Sequence, residues 1–277
     1  MGTRDELIAV DVSGLAARFD FDGAYIGQVP RAPPVTFGRL NRAGFFDDGT
    51  EWAYLSESNS DMPPGWTTVW MGVFRVIDGE PRSIMRYRHS VATRRGSERP
   101  GYLAFGPLTA LVPLGDHFCR GFPVTYLVEC FTQAGEPLHN IVREGWQSRE
   151  VTREDRDAHH AYEDLVNTRD SEQRKRRRRE NTQFAEELSS FDLFVAGAAS
   201  ELWVGPVEWP LDAPVRHPTP RGETVWSVYD RDGALLSDIL LPFEFLLMAA
   251  GEDYIAGLSR DDFDVQSVVV YKLNRSR

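Results

Sequence analysis

The chain contains 277 residues, of which 42% are hydrophobic, and it carries a net charge of −11. Its length and apolar content allow a large buried core, whereas the negative charge opposes general binding to nucleic acid or to an anionic membrane. The sequence lacks an apolar run of about 18 residues, so we expect no membrane-spanning helix. It begins without the basic start and apolar core of a signal peptide, so as written the chain is expected in the cytoplasm.

The predicted strands fall into groups that are separated by Gly, Pro and Asp. Three strands come first, at 7–12, 15–20 and 24–29. Two groups of four follow, at 40–46, 52–57, 68–76 and 83–89, and then at 108–113, 117–122, 125–131 and 138–143. After an interruption, a fourth group covers 192–197, 201–207, 224–229 and 235–241, and a shorter last group covers 243–249, 254–258 and 267–273.

The interruption, at about 150–190, is predicted to be helical. Thr152 with Asp155 three residues later forms a variant of the capping box that starts helices. Two apolar stripes at helical spacing flank the almost wholly charged stretch 169–181, which contains the basic run 174–179. Nearby acidic residues balance this run and no aromatic residues interleave it, so we interpret it as a solvated helix face rather than a nucleic-acid site.

Four similar hairpin sequences recur, each with a glycine at its turn: Gly23, Gly79, Gly135 and Gly233. A turn glycine supplies the positive φ angle of a tight hairpin. The first three are spaced 56 residues apart, and the 98 residues before the fourth exceed that period by 42, which matches the helical insertion. Repeats of this length with four strands each are typical of a β-propeller. We therefore predict an all-β chain that forms one domain over 1–277, with about five blades of four-stranded antiparallel sheets.

Nearly the whole sequence resembles bacterial six-bladed propellers of the TolB-like and NHL-like type. The resemblance lies in the stretch Trp226–Gly233, in the tail from 250 to 273, and in the strand Glu201–Gly205. It implies that one blade is missing and that the chain is truncated at its N-terminus, because the first group holds strands two to four of a blade and the last holds strands one to three. It also implies that the protein belongs to the cell envelope, or is exported, if the true start lies upstream.

The residues that could support chemistry do not form a recognisable catalytic or metal-binding set, and we predict no catalytic residue, no metal and no cofactor. The six histidines lack ligand spacing, and the aspartates lack the spacing of a calcium loop. Cys119 and Cys130 are predicted on neighbouring antiparallel strands, where they could pair. Two cysteines are too few for a disulfide framework, so we favour buried thiols.

We expect a non-catalytic binding or scaffold protein whose partner is a protein or an extracellular polymer. Trp66 and Trp209 lie in proline-rich loops and are candidate contact residues. The predicted innermost strands add four polar candidates along the central channel: Asn41, Arg42, Asp192 and Glu244. The alternative is a propeller enzyme, a hydrolase or lyase, with its site at that channel, and a third reading is an incomplete product without independent function.

An open ring would leave one face of each terminal blade uncovered, and the chain would then self-associate. The uncovered faces are expected to carry apolar residues at both ends of the chain: Ile8, Val10, Phe19 and Ile26 at one end, and Leu246, Ile255, Val269 and Tyr271 at the other.

Overall fold

The computed structural model describes residues 6–10, 16–20, 24–29, 34–35, 38–39, 41–46, 48–56, 65–94, 101–191, 193–206, 223–242, 245–261 and 265–275. Every pairing between its named strands is antiparallel. Consecutive strands are neighbours in each sheet, as in a meander.

The first half of the chain forms two sheets and a short ribbon. The first sheet contains β1 (Glu6–Val10), β2 (Ala16–Asp20) and β3 (Tyr25–Val29). The ribbon pairs β4 (Pro34–Val35) with β5 (Gly38–Arg39). The second sheet contains β6 (Asn41–Phe45), β7 (Glu51–Ser56), β8 (Gly65–Ile77), β9 (Glu80–Arg94) and β10 (Gly101–Tyr102), in that order across the sheet.

The second half forms three sheets. The third sheet contains β11 (Ala110–Leu114), β12 (His117–Gly121), β13 (Leu127–Thr132) and β14 (Pro137–Val142). The fourth contains β15 (Leu193–Ala196), β16 (Leu202–Gly205), β17 (Thr224–Tyr229) and β18 (Leu235–Leu241), with a 3-10 turn, Ala198–Ser200, after β15. The fifth contains β19 (Phe245–Ala250), β20 (Tyr254–Arg260) and β21 (Gln266–Lys272).

Apolar clusters join each sheet from the second onward to the next in the chain. Tyr87 of the second sheet and Phe118 of the third share one cluster. Val128 of the third and Leu202 of the fourth share another, and Trp203 of the fourth packs in a cluster with the fifth. The first strands β11, β15 and β19 of successive sheets also lie side by side. Sheets that stack face to face and meet along their first strands form a β-propeller, so the predicted fold class is confirmed.

The hairpin glycines occupy equivalent turns wherever the structure describes them. Gly79 joins β8 to β9, Gly135 joins β13 to β14, and Gly233 joins β17 to β18, which are the third and fourth strands of their sheets. Their φ angles are 79°, 87° and 87°, a region that residues with a Cβ rarely adopt. Gly23 lies outside the described residues. The repeat that the sequence predicts is therefore confirmed at three positions.

The insertion contains two helices, α1 (Arg153–Val166) and α2 (Glu172–Asn181). Thr152 accepts a hydrogen bond from the backbone N–H of Asp155, and the carboxylate of Asp155 accepts one from the backbone N–H of Thr152, so the predicted capping box forms. On α2, the basic side chains at 174–176, 178 and 179 each pair with a carboxylate. The described helices are not long and apolar enough to cross a membrane.

Cys119 and Cys130 form a disulfide, so the expectation of two buried thiols is wrong. The register of β12 and β13 sets the two residues directly opposite each other, with their Cα atoms 4.1 Å apart. Both side chains are buried in the cluster between the third and fourth sheets. The low number of cysteines in the chain favours free thiols, whereas the strand register places these two residues where a disulfide can form.

Among the described residues, the first and last sheets are separate and have three strands each, as the strand count predicts. The residues expected on the uncovered face of the last sheet are partly wrong. Ile255 and Val269 pack inward against the fourth sheet, and Leu246 is buried. Tyr271 is 37% exposed, and its ring lies 5.2 Å from that of Phe245. The outward face instead carries the alternate residues Val268 and Val270, because side chains alternate along a strand.

Candidate binding pocket

The residues predicted to bind a partner do not form one described site. The prediction that Trp66 lies in a loop is wrong, because it lies on β8 opposite Thr93. Its surface is 49% exposed. Asn41 and Arg42 lie on β6, but their side chains are outside the described part of the structure. Trp209, Asp192 and Glu244 fall outside the described residues altogether.

The described first strands offer little chemistry at the central channel. The sequences ALVPL of β11, LFVA of β15 and FLLMAA of β19 are wholly apolar. Thr109, just before β11, uses its hydroxyl to donate a hydrogen bond of 2.6 Å to the carbonyl of Arg88. Over these three strands, therefore, the structure presents no carboxylate or imidazole for catalysis.

A cavity of about 640 Å³ lies instead between the second sheet and the helical insertion, and we call it the insertion pocket. One wall is strand β9, the floor is the loop 103–108, and the other wall comes from α1 and the end of α2. The lining residues are His89, Ser90, Val91, Leu103, Ala104, Phe105, Gly106, Pro107, Leu108, His159, Glu163, Arg178, Asn181, Thr182 and Gln183. Its size is in the range of pockets that hold small organic ligands.

A β-bulge places His89 at the pocket. Val69 pairs with Ser90 and Trp70 pairs with Arg88, so His89 has no register partner on β8. The backbone N–H of Thr109 donates a hydrogen bond of 2.9 Å to the carbonyl of His89 and holds the bulge in place. Bulges commonly redirect a side chain near a functional site, and this one turns a strand residue into a lining residue.

Phe105 forms part of the floor in a backbone conformation that bulky residues seldom adopt. Its φ angle is 60°, and only 3% of its surface is exposed. The backbone N–H of Gly106 donates to the carbonyl of Leu103 across this turn. The Phe105 ring then lies 5.5 Å from the ring of His159 and 5.7 Å from that of Phe184. Residues in such strained positions persist only where the surrounding packing determines them, and they cluster at functional sites.

The insertion is held against this loop by backbone hydrogen bonds. Ala104 donates to the carbonyl of Gln183 at 2.8 Å and accepts from the N–H of Ala185 at 2.9 Å. Val151 donates to the carbonyl of Glu186, which ties the two ends of the insertion together. Phe105, Val151 and Ala185 bury their side chains in one small cluster. The pocket therefore has a fixed floor at its junction with the insertion.

The helices that form the far wall are joined by Arg178 of α2. Its guanidinium donates to Asp164 of α1 at 3.0 Å, to the carbonyl of Glu163 at 3.2 Å, and to Asp170 in the connecting segment. Asp155 at the start of α1 is bound by both terminal nitrogens of Arg149, and this contact keeps the pKa of the Asp155 carboxyl well below its usual range. Helices of this length need such tertiary contacts to be stable.

The two histidines of the pocket are uncharged at neutral pH. Burial lowers the pKa of His89. Burial, with the nearby His160 and Arg178, lowers the pKa of His159 to about 4. The Nδ1 atom of His89 and the hydroxyl of Ser90 are buried without a hydrogen-bond partner among the described residues. Unpartnered buried polar atoms of this kind are uncommon, and shifted pKa values often mark functional sites.

Reasoning from the sequence missed this pocket. In the sequence, His89 and His159 are two of the six histidines whose spacing does not suit a metal site. The described residues contain no cluster of three or more groups suited to a metal. The one sequence signal that points to the pocket is the helical insertion itself, since long insertions on a rigid scaffold often carry function.

No known protein family and no curated protein matches the sequence, but solved structures do. A member of the DUF4221 family from Bacteroides vulgatus matches with a TM-score of 0.47 and 8% identity, covering 97% of this chain and 74% of that chain. The β-propeller domain of Swd1 from Myceliophteria thermophila matches with a TM-score of 0.32 and 10% identity, covering 98% and 94%. Hydrazine synthase from Kuenenia stuttgartiensis matches with a TM-score of 0.37 and 9% identity, covering 98% of this chain and 60% of that chain. This chain thus spans less than two thirds of the hydrazine synthase chain. At sequence identities this low, the matches carry information about the fold alone.

Proposed function

We propose that this protein is a non-catalytic binding module, built as a single propeller domain, that holds a small molecule in the insertion pocket. The observation that carries the proposal is the cavity of about 640 Å³ with its strained floor and two half-buried, uncharged histidines. A mostly apolar cavity with a few converging polar groups is the usual form of a small-molecule site.

The enzyme alternative finds less support in the described residues. A hydrolase or lyase at the channel needs carboxylates or histidines that converge from several blades. The described first strands β11, β15 and β19 contribute only apolar residues there. We therefore keep the channel as structural core and place binding at the insertion.

We further propose that the protein is similar to TolB-like and NHL-like six-bladed propellers. We also propose that a protein or polymer partner binds to its exposed loops. The disulfide between Cys119 and Cys130 adds weight to an extracytoplasmic protein, because structural disulfides persist in oxidising compartments. Trp66, which is exposed on β8, remains our candidate for contact with such a partner.

The test is whether the pocket binds an apolar probe. We expect the fluorescence of N-phenyl-1-naphthylamine to rise and saturate at one site on the purified chain. Leu108→Trp places extra bulk at a lining position and is expected to weaken binding by about tenfold or more. Leu138→Trp makes the same change at an exposed leucine of β14, and it is expected to leave binding unchanged. Equal binding by both variants would place the probe elsewhere and contradict the proposal.

A further inference from the structure

The charged side chains that line the insertion pocket are already neutralised. Among the described residues these are Glu163 and Arg178. Arg178 is bound to Asp164 and Asp170, and its Nε lies 3.5 Å from the Glu163 carboxylate. Glu163 also accepts a hydrogen bond of 3.3 Å from the side-chain amide of Asn167.

This pairing disfavours a charged ligand of either sign. An ion that enters a partly enclosed site loses part of its hydration, and the loss is offset only by an opposite charge that is free to meet it. Arg178 faces three carboxylates, two of which also pair with Arg174 and Arg179. The group as a whole therefore offers no net charge to an anion or to a cation. Glu163 is held by Arg178 and Asn167, so it offers little to a cation.

The uncharged polar groups of the pocket suit a ligand that forms hydrogen bonds. A neutral imidazole has one donor nitrogen and one acceptor nitrogen. His89 is neutral and lines the cavity, and its Nδ1 has no hydrogen-bond partner in the described structure. The neighbouring Ser90 hydroxyl is likewise buried without a partner. A ligand hydroxyl at this wall would meet the neutral imidazole of His89, which lines the cavity.

The rest of the lining suits an aromatic ring. Leu103, Phe105, Pro107 and Leu108 form an apolar floor. The rings of Phe105 and His159 meet edge to face at 5.5 Å, and His159 packs on Phe184 at 5.3 Å in the same manner. Aromatic side chains favour further rings in offset or edge-to-face contact.

From these contacts we infer that the insertion pocket binds an uncharged aromatic compound with a hydroxyl group, the ring on the Phe105 floor and the hydroxyl at His89. This rests on the proposed function, since it names the ligand class of the same site. It goes further because it names two determinants of ligand specificity: the absence of charge on the ligand, and one hydrogen bond between its hydroxyl and His89.

The experiment compares four probes with one ring system by calorimetry at pH 7.5: 2-naphthol, naphthalene, 2-naphthoate and 2-naphthylmethylamine. We expect 2-naphthol to bind best, naphthalene to bind roughly fivefold more weakly because it lacks the hydroxyl, and both ions to bind more than about tenfold more weakly. The cationic probe is essential because the net charge of −11 would by itself repel the anion and attract the cation.

A variant then tests the hydrogen bond. His89→Phe keeps a ring and should reduce the advantage of 2-naphthol over naphthalene to about twofold or less. His160→Phe is the matched control, because it also removes a buried unpartnered Nδ1 but is not among the described lining residues. It should retain the full advantage.

The outcomes separate the two proposals. If a charged probe binds as tightly as 2-naphthol, or if His89→Phe retains the preference for the hydroxyl, the ligand class is overturned while the pocket stands. If none of the four probes binds the wild-type chain while N-phenyl-1-naphthylamine does, this inference fails and the proposed function stands. If that probe does not bind either, both fail.

Discussion

The imidazole of His159 lies between Phe105 and Phe184, and this burial keeps it uncharged at pH values well below those at which an ordinary histidine gains a proton. Its pKa is about 4 in the folded protein, against 6.5 for an ordinary histidine. Between these values the unfolded chain binds a proton that the folded chain does not, so stability falls as the pH drops from about 6.5 towards 4. The nearby charges of His160 and Arg178 act in the same direction.

We therefore expect His159→Phe to weaken the dependence of stability on pH. The measurement is the free energy of unfolding by urea at pH 7.5 and at pH 4.5. The variant should lose less stability than the wild type between the two, and part of the dependence should remain because burial also lowers the pKa of His89. If the variant and the wild type lose the same amount of stability between pH 7.5 and pH 4.5, His159 titrates normally and is exposed to water.

The disulfide between Cys119 and Cys130 gives a second prediction at the residue scale. Replacing both cysteines with alanine should lower the free energy of unfolding by about 2–4 kcal/mol, because the bridge restricts the unfolded chain. Both sulfurs are buried in the interface between two sheets. We therefore expect a thiol-specific reagent, applied together with a reductant, to label the chain when it is unfolded in urea. Under the same reagent and reductant, the native chain should stay unlabelled. Labelling of the native chain without reductant would contradict the pairing.

At the scale of elements, the insertion is expected to be separable from the propeller. Its two ends are tied by the hydrogen bond from Val151 to Glu186, so the chain can be closed there with little strain. We predict that replacing residues 152–184 with a short Gly-Asn turn leaves one cooperative unfolding transition, because inserted segments add surface more than core. Probe binding should be abolished, since α1 and α2 form one wall of the pocket. A broad transition would show instead that the insertion supports the sheets.

Elements that depend on local signals were predictable from the sequence, and the pocket was not. The hairpins at Gly79, Gly135 and Gly233 follow from turn chemistry, and the start of α1 follows from its capping box. The bulge at His89 and the backbone of Phe105 depend on contacts far along the chain, with Thr109 and with the insertion. The sequence also predicts the wrong face of β21 to be exposed, because a shift of one residue moves every side chain of a strand to the opposite face of the sheet.

At the scale of the whole molecule, the last sheet presents an apolar face and a free edge within the described structure. Val268 is 74% exposed and Val270 is 62% exposed, and both lie on β21. This strand pairs with β20 on one side, and its other side is the end of the sheet. Exposed edge strands with apolar residues are sites of pairing between chains.

We predict that a second copy of this chain pairs along that edge. In an antiparallel pair of β21 strands centred on Val269, Val268 of one copy would stand opposite Val270 of the other, on the same face. Such a pair would continue the apolar surface across both sheets and satisfy the unpaired backbone groups. Charged residues at these positions would oppose it, because like charges directly across a strand pair repel.

We therefore predict that the purified chain self-associates in a concentration-dependent manner in sedimentation velocity. The double substitution Val268→Lys with Val270→Lys should shift it to monomer. The same change at Leu236 and Leu240, which are exposed on β18, should leave the association intact and serves as the control for added charge. If the wild-type chain is monomeric at high concentration and unfolds sharply at high temperature, the outward face of the last sheet is not an association surface.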